Sequence, residues 1–102
     1  MERIYYFPFC QEGYWPTAYD ALEEMRKIRR RGHEIDVYED VDDAICIAET
    51  TVMEDETWIV VEIKVEENRV TINLAHDDDY EPIELDEIDH DLVQYFLVHG
   101  NV

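Results

Sequence analysis

From Trp58 to Leu74 the sequence alternates twice around a turn. Ile59, Val61, Ile63 and Val65 fall on one side of an extended chain, Glu66-Glu67-Asn68 reverses it, and Val70, Ile72 and Leu74 alternate again. Successive side chains of a strand project to opposite faces, so this spacing gathers the apolar set on one face. It predicts a β-hairpin with one buried face. A chain with such a hairpin needs a layer of other elements to cover that face.

The best candidate for such a layer lies upstream. Thr17 is suited to cap a helix N-terminus, and Asp20 three residues on completes an approximate capping box. Ala18, Ala21, Leu22, Met25 and Ile28 then recur at helical spacing. Gly32 falls where a left-handed C-terminal cap belongs, and the basic run Arg26 to Arg31 occupies the last turns, where cations complement the helix dipole. Before this helix, Ile4 to Phe7 reads as a short strand ended by Pro8, and residues 8–16 as a loop carrying three aromatic residues.

Beyond Gly32, residues 33–38 read as a second strand with Ile35 and Val37 competing for the inner face. Residues 40–53 fit two patterns. Asp40 as a cap followed by Val41, Ala44, Ile45 and Ala48 suits a helix over about 40–49 with a strand from near 50, while Ile45, Ile47, Thr51 and Val52 also suit a strand. After the hairpin come an acidic loop, His76 to Pro82, and a second helix starting near Asp86 or Asp89. That helix points Ile88, Leu92, Val93, Tyr95 and Phe96 inward and stops at Gly100. The order predicts one α+β domain over residues 1–102. Its sheet is mostly antiparallel with about four to five strands, and two helices, or three if 40–49 is helical, pack on one face.

Charge is the second constraint. The net charge is -19, from 27 acidic and 8 basic residues. Residues 1–31 hold six basic and five acidic residues, for +1; residues 32–102 hold Lys64 and Arg69 against 22 acidic residues, for -20. Such a field repels nucleic acid and anionic membranes and steers cationic surfaces inward. Direct nucleic-acid binding by the Arg26–Arg31 cluster is therefore disfavoured, and its guanidinium groups are expected to pair with the protein's own carboxylates or with those of a second copy. Hydrophobic residues at 46% and aromatics at 12% supply a core that disordered acidic tails lack.

Several chemistries find no support. The chain contains no serine, and neither Cys10 nor Cys46 has a catalytic flank. Cys46, inside an apolar stretch, is expected to be a buried thiol and Cys10 the more exposed one, both reduced. With 27 acidic residues, no carboxylate pair singles itself out for acid–base work. His76-Asp77-Asp78-Asp79 and Asp89-His90-Asp91 lack the spacing of a calcium loop or a zinc site. The three glycines form no phosphate cradle. No catalytic residue, metal site or cofactor is therefore expected. No apolar run is long enough to span a membrane and no signal peptide is recognisable at the N-terminus, so the expected location is the cytoplasm.

What remains is the acidic surface. Alternate strand residues lie ~6.6–6.8 Å apart on one side, and helix residues three or four apart lie ~5–6 Å from each other. Both spacings are comparable to that of successive phosphates on a nucleic-acid strand. Two rows are candidates: Glu39, Asp40, Asp42 and Asp43; and Asp77, Asp78, Asp79, Tyr80 and Glu81 followed by Glu84, Asp86, Glu87, Asp89 and Asp91. Tyr80, Tyr14 and Trp15 are candidate apolar anchors beside them. By charge and size alone, the chain resembles acidic inhibitors of nucleic-acid-binding enzymes, such as phage-encoded DNA mimics against restriction or CRISPR nucleases and immunity proteins against nuclease toxins. That resemblance implies a non-enzymatic inhibitor, acting in the host cytoplasm if phage-encoded, whose partner is a basic protein such as a nuclease. The alternative is a small structural or accessory protein, or a homodimer in which the Arg26–Arg31 end docks on an acidic patch of the second copy, with acidity serving solubility or a high-salt cytoplasm.

Overall fold

The computed structural model describes residues 2–12, 17–32, 36–75 and 82–99. Seven elements follow in order: β1 (Arg3–Glu12), α1 (Ala18–Arg30), α2 (Val41–Thr51), β2 (Glu56–Val65), β3 (Val70–Leu74), β4 (Ile83–Glu84) and α3 (Glu87–His99). The four strands form one antiparallel sheet in the order β1-β2-β3-β4. The fold is α+β.

The hairpin forms as its alternation requires. Ile63 opposes Ile72 and Val61 opposes Leu74, while Tyr5, Phe7 and Phe9 of β1 oppose Ile63, Val61 and Ile59. These residues share one face. On it α1 brings Ala21, Leu22 and Met25 and α3 brings Leu92, Val93 and Phe96, which close the main core with Val37 and Leu85. Both ends of α1 form as the sequence predicts. The Thr17 and Asp20 side chains cap each other's backbone N–H groups, and Gly32 takes the left-handed conformation at φ 71° while its N–H bonds the Arg29 carbonyl.

Two helices pack on the expected face; the third lies on the other. α2 sits against the opposite side of β1 and β2, where Ala44 and Ala48 meet Val60, with Tyr6, Tyr38, Ile45 and Trp58 around them. Alanines four residues apart give α2 a smooth inward stripe and let it approach the sheet closely. The ambiguity over residues 40–53 resolves as helix, with Asp40 as its cap. The expected strand near 50 does not form: α2 runs to Thr51, with the Thr50 and Thr51 hydroxyls bonding back to carbonyls of the preceding turn, and strand begins only at Glu56.

Three further expectations are corrected. β1 does not end at Pro8 but continues to Glu12. It is an edge strand, and Tyr6 turns its N–H and C=O outward to bond Tyr38 at 2.7 and 2.8 Å. Pro8, two residues on, has the same orientation, so its missing N–H falls on the side away from β2. Tyr38 makes only that isolated bridge, and residues 36–37 are not strand; the rest of the expected strand, residues 33–35, lies outside the described residues. Ile88 is 79% exposed rather than inward, because the inward slot of the first turn of α3 belongs to Asp89. Gly100, the expected stop, also lies outside the described residues.

If α2 is held by small residues against Val60, enlarging them should strain the packing. Ala48→Leu is expected to lower unfolding free energy by about 1–3 kcal/mol, measured by urea denaturation, whereas a change at exposed Thr50 should stay within about 0.5 kcal/mol.

Candidate functional site

The exposed acidic residues divide between the two sides of the sheet. On one side, α2 opens with Asp40, whose carboxylate accepts from the Asp42 N–H at 2.8 Å. Asp42 and Asp43 occupy the first turn, where negative charge complements the helix dipole. Asp36 and Glu39 precede the cap and have no such local reason to be acidic. All five are exposed. From Gly32 to Ile63 the sequence has eleven acidic residues and no lysine or arginine, and among the described residues no ion pair reaches this group.

The patch continues along the helix. Ile47, 40% exposed, Glu49 and then Met53, 70% exposed, lead into Glu54 and Asp55. Glu12, Met53, Glu54, Asp55 and Glu56 together line a shallow cavity of about 290 Å³. An eleven-residue helix is about 16 Å long, so carboxylates at both ends bracket two exposed apolar side chains. The field is felt beneath the patch. Burial, then Glu62 and Asp40, push the Tyr6 phenol above its ordinary value; burial, then Asp36 and Asp43, do the same to Tyr38.

The second candidate row is a different environment. Asp77, Asp78, Asp79, Tyr80 and Glu81 lie outside the described residues, as do Tyr14 and Trp15. Glu84, Asp86, Glu87 and Asp91 are exposed, and Asp86 caps α3 by accepting from the Asp89 N–H at 3.0 Å. Asp89 does not belong to the exposed row: it is 5% exposed, and both its carboxylate oxygens accept from Arg26, at 3.1 and 2.8 Å. That bidentate bond raises the Arg26 pKa, against the opposing effect of burial. Arg26 and Arg30 also reach Glu23 at 3.6 and 3.5 Å, and the Arg29 guanidinium lies 3.8 Å over the Tyr95 ring. Own-carboxylate pairing of the basic cluster is thus observed at Arg26 and Arg30. A helix-wheel reading could have found Asp89, which precedes Leu92 and Val93 by three and four residues on the inward face.

The cysteines reverse their expected roles. Cys46 is exposed, two positions off the Ala44–Ala48 stripe, and Cys10 is half-buried with its thiol 3.8 Å from the Ala48 carbonyl. Among the described residues no cluster of three His, Cys, Asp or Glu side chains is placed to hold a metal ion, and no helix is long and apolar enough to cross a membrane. Sequence reasoning missed Asp36, Glu49, Glu54, Asp55, Ile47 and Met53 as parts of one surface; the signal was the missing lysine and arginine between residues 32 and 63.

Comparison with protein-family models, curated proteins and solved structures gives no match.

The Arg26–Asp89 pair should respond unequally to its two truncations. Arg26→Met leaves a buried carboxylate without its partner and is expected to cost about 3 kcal/mol. Asp89→Asn leaves a half-exposed arginine that water can solvate and should cost about 1–2 kcal/mol. Denaturant unfolding of the two variants checks the order.

Proposed function

We propose that this chain is an acidic binding protein whose α2 face occupies the basic nucleic-acid-binding site of a partner protein, in the manner of a DNA mimic. The supporting observation is the run from residue 32 to 63, eleven carboxylates without a cation, carried largely on and around one exposed helix. Lysine and arginine side chains that ordinarily neutralise phosphates would meet Asp36, Glu39, Asp40, Asp42 and Asp43 instead, releasing counterions as they do on nucleic acid. Ile47 and Met53 supply apolar contact inside the charged rim, the usual source of affinity in an interface whose charges mainly set on-rate and specificity. The protein acts by occupancy, as an inhibitor without turnover, and its targets are nucleases or other nucleic-acid-binding proteins of the same cytoplasm.

A coat serving only solubility or high salt would spread carboxylates over every exposed face. Here five of the eight basic residues sit on or just after α1, against the opposite face of the sheet from α2, and the segment around α2 is left with carboxylates alone.

The test is capture from host lysate on the immobilised protein, eluted by a salt gradient and analysed by mass spectrometry. A nucleic-acid-binding protein retained near 1:1, released by moderate salt and displaced by DNA, is the expected result. Glu39→Gln, Asp40→Asn, Asp42→Asn and Asp43→Asn in combination should weaken retention at least tenfold and flatten its salt dependence. The fold should survive, since Asn caps a helix as well as Asp. Retention unaffected by DNA, or by the four amides, would overturn the reading.

A further inference from the structure

On the side of the sheet away from α2, the seam between α1 and the segment 83–92 is an open groove in two parts that share Arg26 and Asp89. One part, about 470 Å³, is lined by Tyr19, Glu23 and Asp86. The other, about 350 Å³, is lined by Arg29, Arg30 and Ile88, with Asp91 beside them. Each part thus carries one of the most exposed large hydrophobic residues of the described chain, Tyr19 at 70% and Ile88 at 79%. Each also carries charge of mainly opposite sign, acidic beside Tyr19 and basic beside Ile88.

A surface with an acidic end, a basic end and an apolar residue at each is complementary to itself. We propose that this face is a homodimer interface, in which a second copy docks by a twofold axis passing near the Arg26–Asp89 pairs. In an isologous contact, residue i of one copy meets j of the other and j meets i. The twofold places Tyr19 of each copy against Ile88 of the other, and Glu23 and Asp86 of each against Arg29 and Arg30 of the other. Of the two, Arg29 already lies over the Tyr95 ring, so Arg30 is the one available for exchange. Arg30 holds Glu23 only at 3.5 Å across two exposed side chains, a contact of little strength in water, and Lys27 and Arg31 stand exposed at the same end.

The net charge of -19 on each copy is the evident objection. The α2 carboxylates, however, lie beyond the sheet and the α1–α3 layer, itself about 10 Å thick, and the screening length at physiological salt is about 8 Å. The local charge pattern therefore governs this face. The interface leaves both α2 faces outward, so it is independent of the function proposed for them.

Sedimentation equilibrium of the purified full chain at physiological salt, across a concentration series, tests the proposal without any partner. The mass should rise from 12.2 kDa toward twice that value. Ile88→Asp, at a position exposed enough to leave the fold intact by circular dichroism, should raise the dissociation constant at least tenfold. Arg30→Glu and Glu23→Arg should each be monomeric alone, and an equimolar mixture of the two should recover the dimer, because the twofold then pairs each new charge with its opposite. A wild-type mass of 12.2 kDa throughout, a dimer indifferent to these changes, a mixture that stays monomeric, or open-ended growth in mass would each overturn it.

Discussion

β2 must be covered on both sides, and most of the architecture follows from that. Ile59, Val60 and Val61 are consecutive and fully buried, yet consecutive strand residues face opposite ways. Ile59 and Val61 require the α1–α3 layer, and Val60 requires α2. To supply both layers the chain passes from α1 on one face to α2 on the other, and on the way Tyr38 bonds the outer edge of β1 at Tyr6. That bridge blunts an edge strand which would otherwise offer unpaired backbone groups to other chains. α2 covers only the half of its face around Val60; Glu62 and Lys64, further along β2, are left in an open groove with Thr71, Asn73 and Glu84.

The same crossing turns an asymmetry of sequence into an asymmetry of space. The basic run ends α1, and the cation-free acidic run begins immediately after it. Because the two segments go to opposite sides of the sheet, their charges do not neutralise one another. The cations instead meet the carboxylates that share their side, chiefly Asp89 and Glu23. Among the described residues the α2 carboxylates have no ion-pair partner, and self-repulsion of this kind has a cost in stability.

The parts of the fold legible in the sequence were those fixed by local chemistry. The capping box at Thr17–Asp20, the left-handed Gly32 and the alternation from Ile59 to Leu74 each specify their own conformation, whatever packs around them. What could not be read depended on neighbours distant in sequence. Pro8 stops a strand or passes through it according to whether its nitrogen faces a partner, and that is decided by β1 lying at the edge. Ala44 and Ala48 form an inward stripe only because Val60 waits opposite. Among the candidate site residues, Glu39, Asp40, Asp42 and Asp43 do share one exposed surface. Asp89 looked like its acidic neighbours until Arg26, 63 residues earlier, was placed beside it. The apolar members of the α2 surface, Ile47 and Met53, were not legible, because residues 40–53 fit helix and strand alike and the two place Ile47 on different faces.

Hydrogen exchange of the chain, free and bound to the protein it retains from host lysate, tests the role of α2 most directly. Slowed exchange concentrated over residues 36–55, with the α1–α3 seam unchanged by the partner, is the expected result. Protection confined to the seam, with α2 exchanging as in the free protein, would contradict it and move the binding surface to the other side of the sheet.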